Sequence, residues 1–352
     1  MIKKETYQKE WILSHRARKG LEKINPPLAD KMIHALGMVE LLASAGMSFV
    51  FKGGTSLILL LDAPSRFSID IDIITEHSRE EVELFLQKIC FGTPFKRYEL
   101  NERRSYRGDG VPKAHYSLFY LSEITGKEGH VLLDILFDQH PYPSTLDIPV
   151  KSEWLLTDST VQLIKVPTHE GIAGDKLTAY APNTTGIPYK MGKELEIVKQ
   201  LSDVGRLYHH VKDMSIVKKA FDKAVEKEIK YRGDKHKPDD IIEDIINTGL
   251  LIAKRERNKE EPHLSNFKEI QMGLLQFKTY QMSSFFRIDD AIVSSAKAAL
   301  MAKRIRGNHS GPVDLFEKAM KKEDLLIKGQ AYDFLNKLPA EALFYWNKTL
   351  SL

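Results

Sequence analysis

The sequence predicts an α+β protein, with a mixed sheet in its first half and only helices in its second half. Between residues 50 and 166, short runs rich in β-branched residues alternate in the period of strands and are separated by turn residues. From Lys193 onward, the apolar residues instead repeat with the period of a helix. A chain of 352 residues, 42% of them hydrophobic, is expected to form two domains. We place them at residues 1–185 and 186–352.

The elements are predicted in a simple order along the chain. Helices over 6–17 and 27–45 come before the first strand, and a further helix follows Ser78, which forms a capping box with Glu81. Strands are predicted near residue 50 and over 69–75, 98–102, 115–121, 131–137 and 161–166. The second half is predicted to contain helices over 193–210, 215–229, 238–257, 264–283, 288–306, 312–321 and 330–346.

Asp70 and Asp72 are the most informative residues of the predicted sheet. They alternate with Ile69, Ile71 and Ile73, so both carboxylates point to one face of a strand and the isoleucines to the other. Two like charges on one face repel, and a bound cation relieves that repulsion. Carboxylate oxygens are the hard ligands that Mg²⁺ prefers. Such a pair also occurs in strands where it is merely solvated, so the pair alone leaves both interpretations open.

A glycine-rich turn before this strand favours the metal interpretation. Gly53 and Gly54 follow a predicted strand, and Thr55 and Ser56 begin a short predicted helix. Glycine lets the backbone approach a ligand closely, and the N–H groups and hydroxyls at the start of a helix bind anions. The turn and the carboxylates together predict a site for Mg²⁺ and a nucleoside triphosphate.

The order of these parts resembles a known family. A Gly-Gly-Thr-Ser run from Gly53, then Arg66 and Ser68, then Asp70 and Asp72, is similar to the nucleotidyltransferase toxins of the AbiEii/AbiGii group and to the related MenT toxins. The similarity extends from Phe51 to about Leu207. It implies a polymerase-β-like nucleotidyltransferase domain followed by a helical domain. It also implies that the nucleotide is bound by Gly53, Gly54, Thr55, Ser56 and Arg66. Arg66 would contribute either by adding positive charge or by holding the loop in place.

The resemblance implies a third metal-binding carboxylate on a neighbouring strand. Asp134 lies inside the apolar run 130–138, where an isolated charge is costly unless it meets a metal or a partner. Asp138 lies at the end of that run, in a position typical of a solvated turn residue. We therefore expect Asp134 to complete a metal site with Asp70 and Asp72 and to help deprotonate or orient the attacking hydroxyl. A purely structural role for Asp134 is the alternative.

The resemblance also assigns roles further along the chain. It implies that Lys176, on a predicted helix, contacts the triphosphate, and a compact ammonium suits phosphate oxygens. Asp203 matches the second of two acidic positions in the family, whereas Gln200 occupies the first. We expect Asp203 to orient Lys176 or contact the nucleotide, with a pair to Arg206 on the same helix as the alternative.

The composition favours a soluble cytoplasmic enzyme. The single cysteine, Cys90, excludes a disulfide framework and a cysteine-based zinc site. No apolar signal segment follows Met1, and no apolar run is long enough to cross a membrane, so we expect no membrane partner. The net charge is only +4, but basic clusters gather after residue 210 and together suit an RNA backbone. The residues expected to contact RNA are some of Lys227, Lys230, Arg232, Lys303, Arg304 and Arg306.

These observations predict a Mg²⁺-dependent nucleotidyltransferase that moves a nucleotide from a nucleoside triphosphate to an acceptor hydroxyl and releases pyrophosphate. The resemblance implies a bacterial toxin of a toxin–antitoxin or abortive phage infection system, with tRNA as the acceptor and a cognate antitoxin as a partner. Two alternatives stay open. One is the same chemistry on a protein or on a small molecule such as an antibiotic, and the other is a non-catalytic interaction protein.

Overall fold

The strand-like runs of the first half form one seven-stranded sheet in the computed structural model, which describes residues 1–105, 111–233, 235–282 and 285–352. The strands of these residues are β1 (Val50–Lys52), β2 (Asp70–Thr75), β3 (Phe95–Leu100), β4 (Lys113–Leu121), β5 (Glu128–Phe137), β6 (Thr145–Pro149) and β7 (Leu163–Pro167). Their order across the sheet is β3-β4-β5-β2-β1-β7-β6. β2 is parallel to β5 and β1 to β7, whereas the other neighbours are antiparallel. The predicted mixed sheet and α+β class are confirmed.

Helices precede the sheet, connect its strands and make up the second half of the chain. In the described residues they are α1 (Lys9–Ser14), α2 (Pro26–Ser44), α3 (Gly53–Leu60), α4 (Arg79–Ile89), α5 (Glu102–Ser105), α6 (His169–Ala179), α7 (Glu194–Leu207), α8 (Met214–Tyr231), α9 (Pro238–Lys254), α10 (His263–Phe277), α11 (Ile288–Arg306) and α12 (Ala340–Ser351). None of these described helices is both long enough and apolar enough to cross a membrane.

The chain packs as two units. We call residues 1–140, 144–168 and 279–282 the sheet unit, and residues 141–143 together with the described residues from 169 onward, except 279–282, the helical unit. The main division between the two units falls after Thr168, because α6, which begins at His169, packs on α7 and α8. The domain boundary that we placed at residue 185 stays a prediction.

The core of the sheet unit lies between α2 and one face of the sheet. Asn25 caps α2 by accepting a hydrogen bond from the backbone N–H of Leu28, and Pro26 occupies the first helical position. Residues such as Met32 and Leu36 are fully buried in α2 and pack in one cluster with strand residues that include Leu133. This burial fixes which face of the sheet stays open for polar residues.

The last part of the chain differs from the helices predicted for it. The helix predicted over 312–321 does not form, and two of its carbonyl groups accept hydrogen bonds from side chains instead. The guanidinium of Arg304 donates to the carbonyl of Pro312 at 2.7 Å, and the hydroxyl of Tyr208 donates to the carbonyl of Asp314 at 2.8 Å. The helix predicted over 330–346 is divided into a 3₁₀ segment, Gln330–Lys337, and α12.

Candidate active site

One row of polar residues crosses four strands of the sheet unit. Asp72 pairs in register with Asp134 of β5 on one side and with Lys52 of β1 on the other. Asp134 pairs in turn with His115 of β4. Because residues in register on paired strands point to the same face, the four side chains form a row across that face. We call His115, Asp134, Asp72 and Lys52 the carboxylate row.

Asp70 lies on the same strand and the same face as Asp72. Both are half-buried, whereas Ile71 and Ile73, which point the other way, are at most 1% exposed. Burial lowers the pKa of Lys31 on α2, and the negative charge of Asp70 acts on it in the opposite direction. The open face of β2 therefore carries two carboxylates, and the ammonium group of Lys31 interacts electrostatically with the carboxylate of Asp70.

The Gly53–Gly54 turn is shaped by the charged side chains beside it. Gly53 has a positive φ of 76°, and a Cβ atom there would lie 2.1 Å from a carboxylate oxygen of Asp72. A Cβ atom at Gly54 would lie 2.2 Å from a guanidinium nitrogen of Arg66. Only glycine at both positions allows the turn to touch the carboxylate row on one side and Arg66 on the other.

The hydroxyl groups after the turn are directed inward. Ser56 donates to the carbonyl of Gly53 at 2.9 Å, and Thr55 donates to the carbonyl of Asp70 and accepts from the hydroxyl of Ser68 at 2.8 Å. Both side chains are fully buried. They hold the turn and β2 together, and the backbone N–H groups at the start of α3 are the candidates for binding an anion at this turn. The N-cap of α3 is Lys52, which has no acceptor atom in its side chain and makes no side-chain cap.

Arg66 holds the loop in front of the strand. Its side chain is 7% exposed and donates to the carbonyl of Phe67 at 3.1 Å, and its backbone forms a β-bridge with Gln281. The neighbouring N–H group of Phe67 donates to the carbonyl of Tyr280 at 2.7 Å. Of the two roles that the sequence left open for Arg66, this geometry favours fixing the loop.

Asp134 has a different partner on each of its two oxygen atoms. Nδ1 of His115 lies 2.6 Å from Oδ1, and a guanidinium nitrogen of Arg104 on α5 lies 3.2 Å from Oδ2. Asp138, the alternative residue, follows the last pair of β2 and β5, at the other end of the strands. There it lines a separate cavity of about 400 Å³ together with residues that include Thr75 and His77. Of the two acids, it is therefore Asp134 that lies beside Asp72.

Sequence reasoning missed both partners of Asp134. The signal for His115 was present in the sequence, because the turn residues Thr125, Gly126 and Gly129 indicate a hairpin, and a hairpin sets the antiparallel register of its two strands. Counting back from Leu121 and Glu128 along that register places His115 opposite Asp134. No comparable signal exists for Arg104, which reaches Asp134 from a four-residue helix after β3.

The three carboxylates on this face of the sheet suit a hard divalent cation. Asp70, Asp72 and Asp134 supply carboxylate oxygens on one face, which is the chemistry that Mg²⁺ requires. In the part of the chain that the structure describes, no three His, Cys, Asp or Glu side chains converge closely enough to hold a metal ion as they stand. Arg104 and His115 lie within hydrogen-bond distance of the two oxygens of Asp134. The residues thus fit the ion in type and register.

The helical unit contains the other predicted nucleotide-binding residues. Lys176 on α6 forms an ion pair with Asp203 on α7, with Nζ 2.7 Å from Oδ2, and it donates to the side-chain oxygen of Gln200 at 3.0 Å. The two charged side chains are 5% and 3% exposed. Asp203 is thus an ion-pair partner of Lys176, and Gln200 contacts the same ammonium group. The role of Asp203 toward the nucleotide stays a prediction.

Comparison with known proteins places these features in one family. The family model described as nucleotidyl transferase AbiEii toxin, type IV TA system, matches residues 38–292. The chain is similar to the crystal structure of JHP933 from Helicobacter pylori, with 16% identity, a TM-score of 0.45, and 86% of this chain and 94% of that chain covered. It is also similar to an antigenic nucleotidyltransferase-like protein from Paracoccidioides brasiliensis, with 13% identity, a TM-score of 0.36, and 58% and 89% covered. No curated protein matches the sequence.

The family assignment rests on the family model, whose match covers most of the chain. The matched residues include the Gly53–Gly54 turn, the carboxylate row and the Lys176–Asp203 pair. This confirms the resemblance inferred from the sequence, and with it a nucleotidyltransferase that acts on a nucleoside triphosphate. The chain belongs to the AbiEii nucleotidyl transferase toxin family of type IV toxin–antitoxin systems.

Proposed function

We propose that this nucleotidyltransferase uses Mg²⁺ to transfer a nucleotide from a nucleoside triphosphate to a hydroxyl group of tRNA. The observation that carries the proposal is the carboxylate row, in which Asp72 and Asp134 are in register and Gly53 touches Asp72. A phosphate-binding turn in contact with a pair of carboxylates is the arrangement that phosphoryl chemistry on a metal-bound triphosphate needs.

The chemistry follows from the groups on this face. The acceptor oxygen forms a bond to the α-phosphorus, the bond from that phosphorus to the bridging oxygen breaks, and pyrophosphate leaves. The proton of the acceptor hydroxyl passes to the carboxylate of Asp134. The N–H groups after Gly53 and Gly54 bind phosphate oxygens. Asp70, Asp72 and Asp134 would hold Mg²⁺, which would neutralise charge on the attacking and leaving oxygens.

The acceptor is proposed from the charge of the helical unit. Several lysines on its surface are exposed and suited to RNA phosphates, namely Lys219, Lys223, Lys235, Lys318 and Lys321. The set expected from the sequence needs revision. Arg304 is 7% exposed and donates to two backbone carbonyls, and Arg306 is paired with Asp239 and Glu243. Neither arginine is well placed to contact a phosphate backbone.

The test incubates the purified protein with Mg²⁺, total tRNA and each α-³²P-labelled nucleoside triphosphate in turn. We expect label in tRNA from at least one nucleotide, no label with the Asp72→Asn variant, and full label with the matched Asp138→Asn variant. Binding to tRNA should weaken steeply as salt rises, because phosphate contacts release counterions. Label that enters protein or small molecules and not tRNA would replace tRNA as the acceptor, and label in none of them would overturn the proposal.

The toxin role has its own test in a bacterial host. Expression of the parent protein should arrest growth, the Asp72→Asn variant should not, and the cognate antitoxin should restore growth to cells that express the parent. Growth arrest by the Asp72→Asn variant would show that the effect does not depend on nucleotide transfer.

A further inference from the structure

We propose that His115 is the positioning residue of Asp134: it fixes Oδ1 so that Oδ2 is the oxygen that takes part in metal binding and transfer. The inference rests on the function proposed above and adds a residue to it. His115 lies directly opposite Asp134 in the sheet, and its Nδ1 is 2.6 Å from Oδ1. A carboxylate only accepts hydrogen bonds, so Nδ1 carries the proton and the tautomer is defined.

The backbone of His115 is held on both sides of the residue. Its N–H group donates to the hydroxyl of Ser105 at 3.0 Å, and its carbonyl accepts from the N–H group of Asn101 at 2.7 Å. The hydroxyl of Ser105 donates to the carbonyl of Asn101 at 2.8 Å. The imidazole is 14% exposed. Because the backbone of His115 is held and its ring is mostly buried, the imidazole fixes one oxygen of Asp134 in place. Hydrogen-bond partners of metal ligands commonly have this role.

The partner of the other oxygen is held less firmly. Arg104 is 37% exposed, belongs to a helix of four residues, and is 3.2 Å from Oδ2, so its contact is longer than that of His115. A divalent cation and a guanidinium group, both positive, compete for Oδ2. The hydrogen bond from His115 to Oδ1 is compatible with either of them. The two oxygens therefore have separate tasks: Oδ1 is fixed by the sheet, and Oδ2 can exchange its partner.

Two conservative variants separate positioning from packing. Asparagine places its amide nitrogen close to the position of Nδ1, whereas glutamine places it close to Nε2. We therefore compare His115→Asn with His115→Gln in the full chain, and use Arg104→Gln to remove the competing partner. Mn²⁺ affinity is measured by electron paramagnetic resonance, and kcat and KM for the triphosphate are measured in the tRNA transfer assay.

His115→Gln should weaken Mn²⁺ binding and lower kcat by about 10–100-fold, with KM for the triphosphate nearly unchanged. His115→Asn should stay close to the parent protein in all three quantities. Arg104→Gln should bind Mn²⁺ at least as tightly as the parent, because it removes a competing positive charge.

Three outcomes would overturn the proposal. The first is parental Mn²⁺ affinity in His115→Gln, and the second is equal loss in the Asn and Gln variants, which would assign His115 to packing. The third is a loss of Mn²⁺ affinity in Arg104→Gln as large as that in His115→Gln. If the parent protein transfers no nucleotide at all, the proposed function fails, whereas the Mn²⁺ measurements still decide the role of His115.

Discussion

Two carboxylates with cationic partners occupy contrasting environments in this protein. Asp134 in the sheet unit is 24% exposed, and its partner Arg104 is 37% exposed. Asp203 in the helical unit is 3% exposed, and its partner Lys176 is 5% exposed. The first pair has a further hydrogen-bond partner in His115, and the second pair has one in Gln200. The chemical groups are similar, and the main difference is burial.

Burial decides whether a pair can change partners. Removing one member of a buried pair leaves a charge without compensation and costs about 3–5 kcal/mol, whereas an exposed pair contributes about 0–1 kcal/mol. Asp134 can therefore release Arg104 at little cost, and the metal binding and proton transfer proposed for Asp134 require such a release. Lys176 and Asp203 stabilise the helical unit whether or not Lys176 contacts a triphosphate, and that contact stays a prediction.

The largest effect is expected from breaking the buried pair. Lys176→Ala should lower the free energy of unfolding by about 3–5 kcal/mol, measured by urea titration, because Asp203 stays buried after it loses the ammonium group of Lys176. Lys165→Ala, which breaks an ion pair with Asp147 that is more than half exposed, is the matched control and should change stability by less than about 1 kcal/mol. Equal losses in the two variants would show that burial does not govern these pairs.

A double variant separates stability from nucleotide binding. Lys176→Met with Asp203→Leu replaces the pair by apolar side chains and should recover most of the lost stability. If Lys176 contacts the triphosphate, this stable variant should still bind the nucleoside but bind the triphosphate more weakly in calorimetry. Unchanged triphosphate affinity would leave the pair with a structural role only.

A buried histidine whose ring nitrogens have no hydrogen-bond partner among the described residues should produce a pH-dependent effect of similar size. His15 is fully buried against Trp11 and Trp154, and burial lowers its pKa from 6.5 to about 4, with a smaller contribution from the charge of Arg18. The unfolded chain therefore binds more protons than the folded chain between these two pKa values, so stability falls as the pH falls through this window. The full contribution, about 3 kcal/mol, is present above pH 6.5 and absent below about pH 4.

Urea titrations across this pH window test the role of His15. The His15→Phe variant should lose less stability than the parent between about pH 7 and pH 4, since it has no group to protonate. His77→Gln is the control, because His77 is 24% exposed and lies beside Glu81. A parental pH dependence in His15→Phe would assign the acid sensitivity to other groups.

Local patterns in the sequence predicted much of the sheet unit. The alternation of Asp70 and Asp72 with isoleucines defined the strand and its two faces, and Gly53 and Gly54 defined the turn. These features depend on a few consecutive residues, so a period and a turn preference are enough to find them. The choice of Asp134 needed the resemblance as well, because one strand does not reveal its neighbour.

The parts that sequence could not supply depend on residues far apart in the chain. Arg104 meets Asp134 through the packing of a short helix, and no period records such a contact. The helix predicted over 312–321 has suitable residues, but Arg304 and Tyr208 take its backbone carbonyls. Arg304 was expected to contact RNA because it lies in a basic cluster. The sequence of that cluster does not show that the side chain of Arg304 is buried. Tertiary contacts override local preference at each of these places.

Removing a carboxylate from the row should affect activity far more than stability. Asp72→Asn should lower the rate of nucleotide transfer at least about a hundredfold. Loss of a residue that only supports a metal ligand lowers activity by up to about a hundredfold, and loss of a ligand itself should cost at least as much. Its melting temperature without Mg²⁺ should be unchanged or slightly higher, since a like charge has been removed beside Asp70 and Asp134. Asp138→Asn, at the other end of the sheet, should keep both activity and stability. Full transfer activity in Asp72→Asn would contradict the assignment of the active site.

The smallest effect is expected from breaking the exposed pair. Arg104→Gln should change the free energy of unfolding by less than about 1 kcal/mol, because both partners are partly solvated and His115 still donates to Asp134. The measurement is the same urea titration as for Lys176→Ala, so the two pairs are compared on one scale. A loss near 3–5 kcal/mol would mean that Asp134 depends on its cation as strongly as Asp203 does. In that case exchange of Arg104 for a metal ion would carry a large energetic cost, and the contrast between the two pairs would fail.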